Sequence, residues 1–257
     1  EADTSPTPSL LALQQQLAAV DPVIRKRLFE EGYATVGDRP ELADFRRSLD
    51  SFLARFGHFS DSGNDFSYPQ WREDLDFVIK MARQVTPPSK DARDALDAPE
   101  LSKQSRRLTR LHALAKAYHR HREVISYLYT GIYSQFRRVF LALGARLADR
   151  GTLAVPEDIF FLSLDEVRAA AEPDHVTSLQ SIIADRQRAF AAAEDVVLPE
   201  VIYGDQTPPL ATMAADRRRL KGVPVSAGYY AGPARVVRSL RELDRVEEGD
   251  VLVIPYS

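Results

Sequence analysis

The stretch from Gly57 to Ser67 contains the residue types best suited to chemistry in this sequence. Six polar side chains lie close together within residues 58–65 of it: His58, Ser60, Asp61, Ser62, Asn64 and Asp65. An imidazole or a carboxylate can take the proton from a hydroxyl group, and His58 or Asp61 could serve as that base. An ordinary connection between helices does not need this density of hydrogen-bonding groups. We therefore treat the six residues as candidates for a substrate-binding site.

The same residue types also favour turns. Serine, aspartate and asparagine side chains hydrogen-bond to nearby main-chain groups, and Ser67 ahead of Pro69 is typical of a helix start. On this second interpretation, the stretch only caps and connects two helices. The sequence leaves both interpretations open.

A basic region further along contains three more histidines, His112, His119 and His121. His112 and His119 would share one face of a helix, as two metal ligands could. Arginines surround them, however, and charged helical surfaces are common. We predict a solvated basic face here and no metal site.

Aromatic side chains occupy the same region: Tyr118, Tyr127, Tyr129, Tyr133, Phe136 and Phe140. A large apolar ligand would bind well to a wall of such residues. Packing between helices is the simpler role for them, and it is the one we predict. Trp71 is likewise predicted to anchor a helix rather than to form a stacking platform for a ligand.

Composition excludes several classes of protein. The 257 residues include no cysteine, which rules out a disulfide scaffold, a thiolate-bound metal and a cysteine nucleophile. A formal net charge of −3 gives no basic field for nucleic acid. The sequence has no apolar run of about 18 residues that could span a membrane. We expect a cytoplasmic protein that partners neither nucleic acid nor membrane, and we expect both ends of the sequence to be cuts within a longer chain.

Apolar residues recur at helical spacing through most of the first 215 residues. The pattern predicts helices over residues 9–20, 22–32, 40–57, 69–85 and 175–195, and two long helices within 91–150. The apolar run from Ile159 to Leu162 predicts a short strand, after which Ser163 would cap a small helix. The fold class predicted for this part is mainly α, a bundle-like helical domain.

The last part of the chain has a different pattern. Short β segments are predicted at 223–225 and 234–237, a small helix at 240–246, and a strand buried on both faces at 251–254. Three strands and one helix are too few to bury a core of their own. We therefore predict a helical domain at 1–215 and the N-terminal part of a β/α domain at 216–257.

Particular motifs resemble a known family. The segments 220–228, 232–237 and 249–257 resemble the opening of the mobile phosphohistidine domain, or swivelling domain, of phosphoenolpyruvate-utilising enzymes. This family includes phosphoenolpyruvate synthase and rifampicin phosphotransferase. Gly57-His58, Asp65, Trp71-Arg-Glu-Asp and residues 146–166 are similar to the helical middle region of the same enzymes.

The resemblance implies an ATP-dependent phosphotransferase, a kinase-like transferase that works by relay. ATP, with Mg²⁺, would phosphorylate a histidine, and the swivelling domain would carry the phosphoryl group to pyruvate or to a hydroxyl of a small molecule. The resemblance places that histidine beyond Ser257, and places ATP and Mg²⁺ on an ATP-grasp domain of the same protein outside this chain. The chain would then hold no catalytic residue and be inactive alone.

Two departures from the family pattern keep a second hypothesis open. Phe59 stands where relatives often have arginine, and Asn64 stands in a stretch where they have an acidic residue. A loop that has lost its chemistry would leave a non-catalytic module that binds a small molecule or a protein.

Overall fold

The fold of the chain is mainly α-helical, as predicted, in a computed structural model. Two short two-stranded sheets accompany the helices among the residues that the structure describes. The structure describes residues 4–62, 65–87, 106–172, 178–193, 196–197, 204, 211–212, 229–237 and 240–254. None of the helices among these residues combines the length and the apolar character needed to cross a membrane.

The chain divides into two compact units, one made of Glu1–Arg137 with Pro233–Ser257 and the other of Arg138–Gly232. The predicted domain boundary near residue 215 lies outside the described residues, and so does the predicted strand at 223–225. Both stay predictions. Among the described residues of the first unit, the helices before the long one are α1 (Thr7–Ala19), α2 (Pro22–Glu31), α3 (Tyr33–Val36), α4 (Ala43–Phe56) and α5 (Leu75–Gln84), with 3₁₀ turns at Pro40–Leu42 and Trp71–Glu73.

Helix α4 is at the centre of the first unit and packs against α1. Its apolar residues recur every three or four positions, so they face one way and are buried. They are Phe45, Leu49, Phe52 and Phe56. Trp71 is 7% exposed and lies parallel to Phe52, with ring centroids 6.2 Å apart. The prediction that Trp71 anchors this region is confirmed.

The long helix α6 (Arg106–Asp149) is continuous over 44 residues of the range 91–150, for which two long helices were predicted. Residues 91–105 lie outside the described residues, so the number of helices over the whole range stays a prediction. No proline interrupts the sequence of α6. Gly131 and Gly144 are the weak points, but one glycine costs a helix only about 1 kcal/mol, too little to break it. Its residues up to Arg137 belong to the first unit and the rest to the second.

The second unit corrects the strand predicted at 159–162. Residues Pro156–Phe161 form a 3₁₀ helix instead. The carboxylate of Asp158 accepts hydrogen bonds from the main-chain nitrogens of Ala154 and Val155, both at 3.2 Å, and this fixes a helical turn. A short apolar run fits a strand and a buried turn equally well, so the sequence pattern could not decide.

Two further helices are described in the second unit. Helix α7 (Leu164–Ala171) begins with the predicted cap, in which the Ser163 hydroxyl accepts a hydrogen bond from the main chain of Glu166 at 3.3 Å. Helix α8 (Gln180–Ala193) lies inside the range predicted for it. The short strands β1 (Val196–Val197) and β2 (Ala211–Thr212) pair in antiparallel fashion.

The strands of the first unit are β3 (Ala234–Val236) and β4 (Val251–Val253), which pair in parallel. The 3₁₀ helix Leu240–Arg245 lies between them in sequence, where a small helix was predicted. The prediction of burial on both faces is wrong for β4. Leu252 is 45% exposed and Val253 is 39% exposed. Among the described residues, β4 pairs with β3 alone.

Candidate functional site

The candidate loop, residues 57–70, connects α4 to the turn Trp71–Glu73, and its two ends are tied together. The main chain of Arg72 donates to the carbonyl of Gly57 at 3.1 Å, and that of Trp71 donates to the carbonyl of Phe59 at 2.8 Å. The Arg72 guanidinium also donates to the Gly57 carbonyl, at 3.0 Å. These hydrogen bonds hold the base of the candidate loop on the core.

Helix α6 holds the other side of the candidate loop through Arg137. The guanidinium makes two hydrogen bonds to the carboxylate of Glu73, each 2.7 Å long. It also donates to the carbonyls of Phe66 and Ser67, at 3.2 and 2.6 Å. One turn earlier on α6, the hydroxyl of Ser134 donates to the side-chain oxygen of Gln70 at 2.9 Å. Sequence reasoning missed these residues, because their partners are about 64–71 positions away.

His58 lies in an aromatic enclosure inside the first unit. It is 8% exposed, and its ring meets Phe59 and Tyr127 edge to face, with centroids 4.7 Å away in both cases. Burial lowers the pKa of the imidazole below its ordinary value of 6.5, although the main chain of Tyr127 favours the charged form. The ring is therefore neutral at pH 7. Within the described part of the chain, its Nε2 atom has no hydrogen-bond partner.

Phe59 lies beside His58, with its ring among other aromatic side chains. Its ring centroid is 5.2 Å from that of Trp71 and 5.8 Å from that of Phe56. The apolar ring can satisfy no hydrogen bond. The indole nitrogen of Trp71 is also buried without a hydrogen-bond partner among the residues the structure describes.

Asp61 is the second candidate base, and its carboxylate lies beside Arg241. The Oδ2 atom is 3.5 Å from Nε of Arg241, and the Oδ1 atom is buried without a hydrogen-bond partner in the described residues. Burial raises the pKa of Asp61 above its ordinary value of 3.8, against the opposite effect of Arg241, and the nearby Asp74 raises it further. A carboxylate with a raised pKa takes up a proton more readily.

The remaining candidates form turns. The hydroxyl of Ser60 donates to the carbonyl of Ser62 at 2.6 Å, and the carboxylate of Asp65 accepts from the main chain of Ser67 at 2.8 Å. The capping interpretation therefore accounts for these contacts. Asn64 lies outside the described residues.

Aromatic side chains of α6 form a surface next to the candidate loop. Phe66 of the loop is 6.0 Å from both Tyr133 and Phe136, between ring centroids, and the hydroxyls of Tyr129 and Tyr133 are 2.7 Å apart. Phe136 is 50% exposed and Tyr129 is 42% exposed, and Tyr118 further along is 67% exposed. The prediction that these residues pack between helices is wrong for the exposed Phe136, Tyr129 and Tyr118. We name Phe66, Tyr129, Tyr133 and Phe136 the aromatic surface.

The other two aromatic residues of the prediction do pack. Tyr127 lies against the core of the first unit and donates its hydroxyl to the carbonyl of Arg55 at 2.8 Å. Phe140, in the second unit, lies 6.4 Å from Phe160 between ring centroids. The packing prediction therefore holds for these two.

In the basic region, His119 and His121 are exposed and His112 is half-buried. The predicted solvated face is confirmed for the first two. Across the described ranges, there is no group of three or more histidine, aspartate or glutamate side chains that could hold a metal ion.

Comparison with known proteins identifies the family. The family model of the rifampicin phosphotransferase fourth domain matches residues 8–138, about half of the chain. The chain belongs to this phosphotransferase family, as the sequence resemblance indicated. The matched region contains α1 to α5, the candidate loop and the aromatic surface.

Individual relatives extend the similarity toward the C-terminus. A rifampicin phosphotransferase from Streptomyces sviceus is 25% identical over 245 residues, which cover 85% of this chain and 28% of the relative. A Mycobacterium tuberculosis protein of uncharacterized function is 27% identical over 251 residues, or 95% of this chain and 28% of the relative. A rifampicin phosphotransferase from Bacillus subtilis is 28% identical over 141 residues, or 53% of this chain and 16% of the relative. The chain thus spans less than a third of the length of these relatives.

Proposed function

We propose that this chain is the acceptor-binding helical part of an ATP-dependent phosphotransferase that relays phosphate through a phosphohistidine. One observation carries the proposal beyond family membership. The candidate loop brings a group able to take a proton, Asp61 or His58, onto the same short segment as Phe66 of the aromatic surface. A phosphate acceptor needs both a binding surface and a base for its hydroxyl proton.

The acceptor that suits this surface is a hydroxyl group on an apolar small molecule. Exposed aromatic rings bind apolar ligands, and the relatives named above as rifampicin phosphotransferases are named for such a compound. Pyruvate is the other acceptor class in the wider family, and a small anion needs a cation to bind it. The guanidinium groups of Arg72 and Arg137, which contact the candidate loop, already hydrogen-bond to its carbonyls and to Glu73.

The chemical step moves one phosphoryl group and one proton. The acceptor oxygen forms a bond to phosphorus while the bond from phosphorus to the histidine nitrogen breaks, and its electron pair returns to the imidazole. The hydroxyl proton passes to the base. We assign this role to Asp61, since its raised pKa suits proton uptake and its side chain is 18% exposed. His58 is the alternative, enclosed by Phe59 and Tyr127.

ATP and Mg²⁺ would bind to other parts of the full-length protein. We propose an ATP-grasp domain as the partner that phosphorylates the histidine, following the resemblance. The role of this chain is then to bind the acceptor, to orient its hydroxyl and to hold the base.

Isotope transfer in the full-length protein tests the proposal. Protein incubated with ATP labelled at the β or γ phosphate should acquire an acid-labile, base-stable label, and an apolar alcohol should remove it. Asp61→Asn should slow this second step about a hundredfold or more without changing the labelling. Asp44→Asn, at an exposed site on α4, is the matched control and should change neither step. If Asp61→Asn transfers normally and His58→Gln does not, the base is His58.

Protein that never acquires label would overturn the relay. It would favour the second hypothesis, a non-catalytic binding module, for which the apolar Phe59 beside His58 is the supporting observation. Binding would then be measured directly through the fluorescence of Trp71, the single tryptophan of the chain.

A further inference from the structure

Arg241 connects the segment that follows residue 233 to the helical part of the first unit. Its Nη1 atom lies 2.5 Å from Oδ2 of Asp74, and its Nε atom lies 3.5 Å from Oδ2 of Asp61. Its guanidinium carbon stands 4.5 Å from the ring centre of Phe77, a cation–π distance. The ammonium group of Lys80 donates to the main-chain carbonyl of Arg241 at 2.7 Å. One residue therefore makes four separate contacts across more than 160 positions of sequence.

Asp74 is rigidly placed for this contact. Its Oδ1 atom accepts a hydrogen bond from the main chain of Phe77 at 3.0 Å and so caps α5, while its Oδ2 atom faces Arg241. Burial alone would raise the pKa of Asp74, but the hydrogen bonds from Arg241 and from Phe77 outweigh it and lower the pKa. The carboxylate therefore stays charged at neutral pH and continues to attract the guanidinium.

Asp61 is covered by the same contact. Arg241 lies against one carboxylate oxygen, and the other is buried. The charged groups that face this carboxylate are Arg241 and Asp74, with Lys80 bound to the main chain of Arg241. While this arrangement persists, the Arg241 guanidinium lies where an acceptor hydroxyl would meet the Oδ2 atom of Asp61.

We propose that Arg241 is a latch that seats residues 233–237 and 240–254 on the surface formed by Asp61, Asp74, Phe77 and Lys80. While the latch is closed, the Arg241 guanidinium lies against Asp61, the base assigned above. The surface is thus a docking site for the β/α part of this chain, and the guanidinium must leave before Asp61 can take a proton. This last step rests on the proposed function, whereas the docking itself does not.

Distance measurements between two spin labels test the latch without any phosphotransfer. The chain has no cysteine, so Val23→Cys and Glu248→Cys, both at exposed sites, would carry the labels. The unaltered latch should give one narrow distance distribution. Arg241→Ala removes the ion pairs and the cation–π contact and should increase a longer, released population roughly fivefold.

Two further variants make the result specific. Arg245→Ala is the control, since Arg245 pairs with Glu242 of its own turn and should leave the distribution unchanged. Asp74→Asn keeps a side chain able to cap α5 but removes its charge, so it should release the segment without unfolding the helix. A distribution in Arg241→Ala that matches the parent would overturn the latch and leave the isotope-transfer proposal standing. If the segment is released in Arg241→Ala but the full-length protein never acquires phosphate label from ATP, the relay is overturned and the docking contact is supported.

Discussion

Arg137 and Glu73 form a two-pronged ion pair, with both nitrogen-to-oxygen distances at 2.7 Å and the arginine side chain only 3% exposed. The pair joins the long helix α6 to the turn that ends the candidate loop. Its geometry shows how a loop of polar, turn-forming residues acquires one defined conformation. The arginine that satisfies Glu73 also satisfies two carbonyls of the loop.

Replacing Arg137 by methionine should destabilise the protein by about 2–3 kcal/mol. Removing one partner of a buried ion pair costs about 3–5 kcal/mol, and the loss is smaller here because Glu73 is 33% exposed and can be rehydrated. Urea unfolding measures the free energy. Arg122→Met, at an exposed site on the same helix, is the control and should change it by less than about 0.5 kcal/mol. A loss in Arg137→Met no greater than in the control would show that the pair contributes nothing.

Phe59→Arg introduces a charged group beside His58, and we expect it to destabilise this chain. The Phe59 ring contacts Phe56, Trp71 and Tyr127, so a guanidinium there would lose its hydration without gaining an acceptor. The expected cost is about 2 kcal/mol for this half-buried position. Phe59→Leu is the apolar control and should cost less than about 1.5 kcal/mol. Trp71 fluorescence reports both changes locally, and a Phe59→Arg protein as stable as its parent would contradict the expectation.

Acid should destabilise the first unit through His58. Its pKa is lowered in the folded protein, so the unfolded chain binds the proton more readily below pH 6.5, its ordinary value. The sign follows directly: the free energy of unfolding should be constant above that pH and should fall as the pH drops toward 5. His58→Gln should flatten this dependence when thermal unfolding is followed across that range. His119→Gln, at an exposed site, should retain it.

A second acid transition should come from Glu166 in the second unit. Hydrogen bonds from Arg186 and from the main chain of Ser163 lower the pKa of this carboxylate to about 2. Because its pKa is lower in the folded protein, the charged carboxylate stabilises the fold above the pKa of the unfolded chain. This stabilisation is lost as the pH falls from about 4.5 toward 2. Glu166→Gln should abolish this part of the acid dependence of the melting temperature. The neighbouring Asp165→Asn, 92% exposed, should not.

The parts of the fold that depend on local sequence could be predicted. The apolar spacing of α4 and the cap supplied by Ser163 act over three or four residues, within the reach of sequence pattern. The run from Ile159 to Leu162 could not be resolved, because the hydrogen bonds of Asp158 decide its conformation.

The candidate site was only partly predictable for a related reason. The density of polar residues pointed to the candidate loop, but it did not distinguish turn residues such as Asp65 from Asp61, which meets Arg241. That contact spans 180 positions of sequence and depends on tertiary folding. The exposed aromatic rings of α6 were also missed, since helical spacing is the same for a buried stripe and an exposed one.

At Gly144 of α6, helix propensity and packing within the second unit favour different residues. A Cβ atom there would lie 2.3 Å from the carbonyl oxygen of Pro156, so the turn at 156–161 can approach the helix only where no side chain exists. Alanine would favour the isolated helix by about 1 kcal/mol, yet it would push the turn away from the helix. A stabilisation strategy that treats every helical glycine as a defect would therefore weaken this protein at the position where its helix looks weakest.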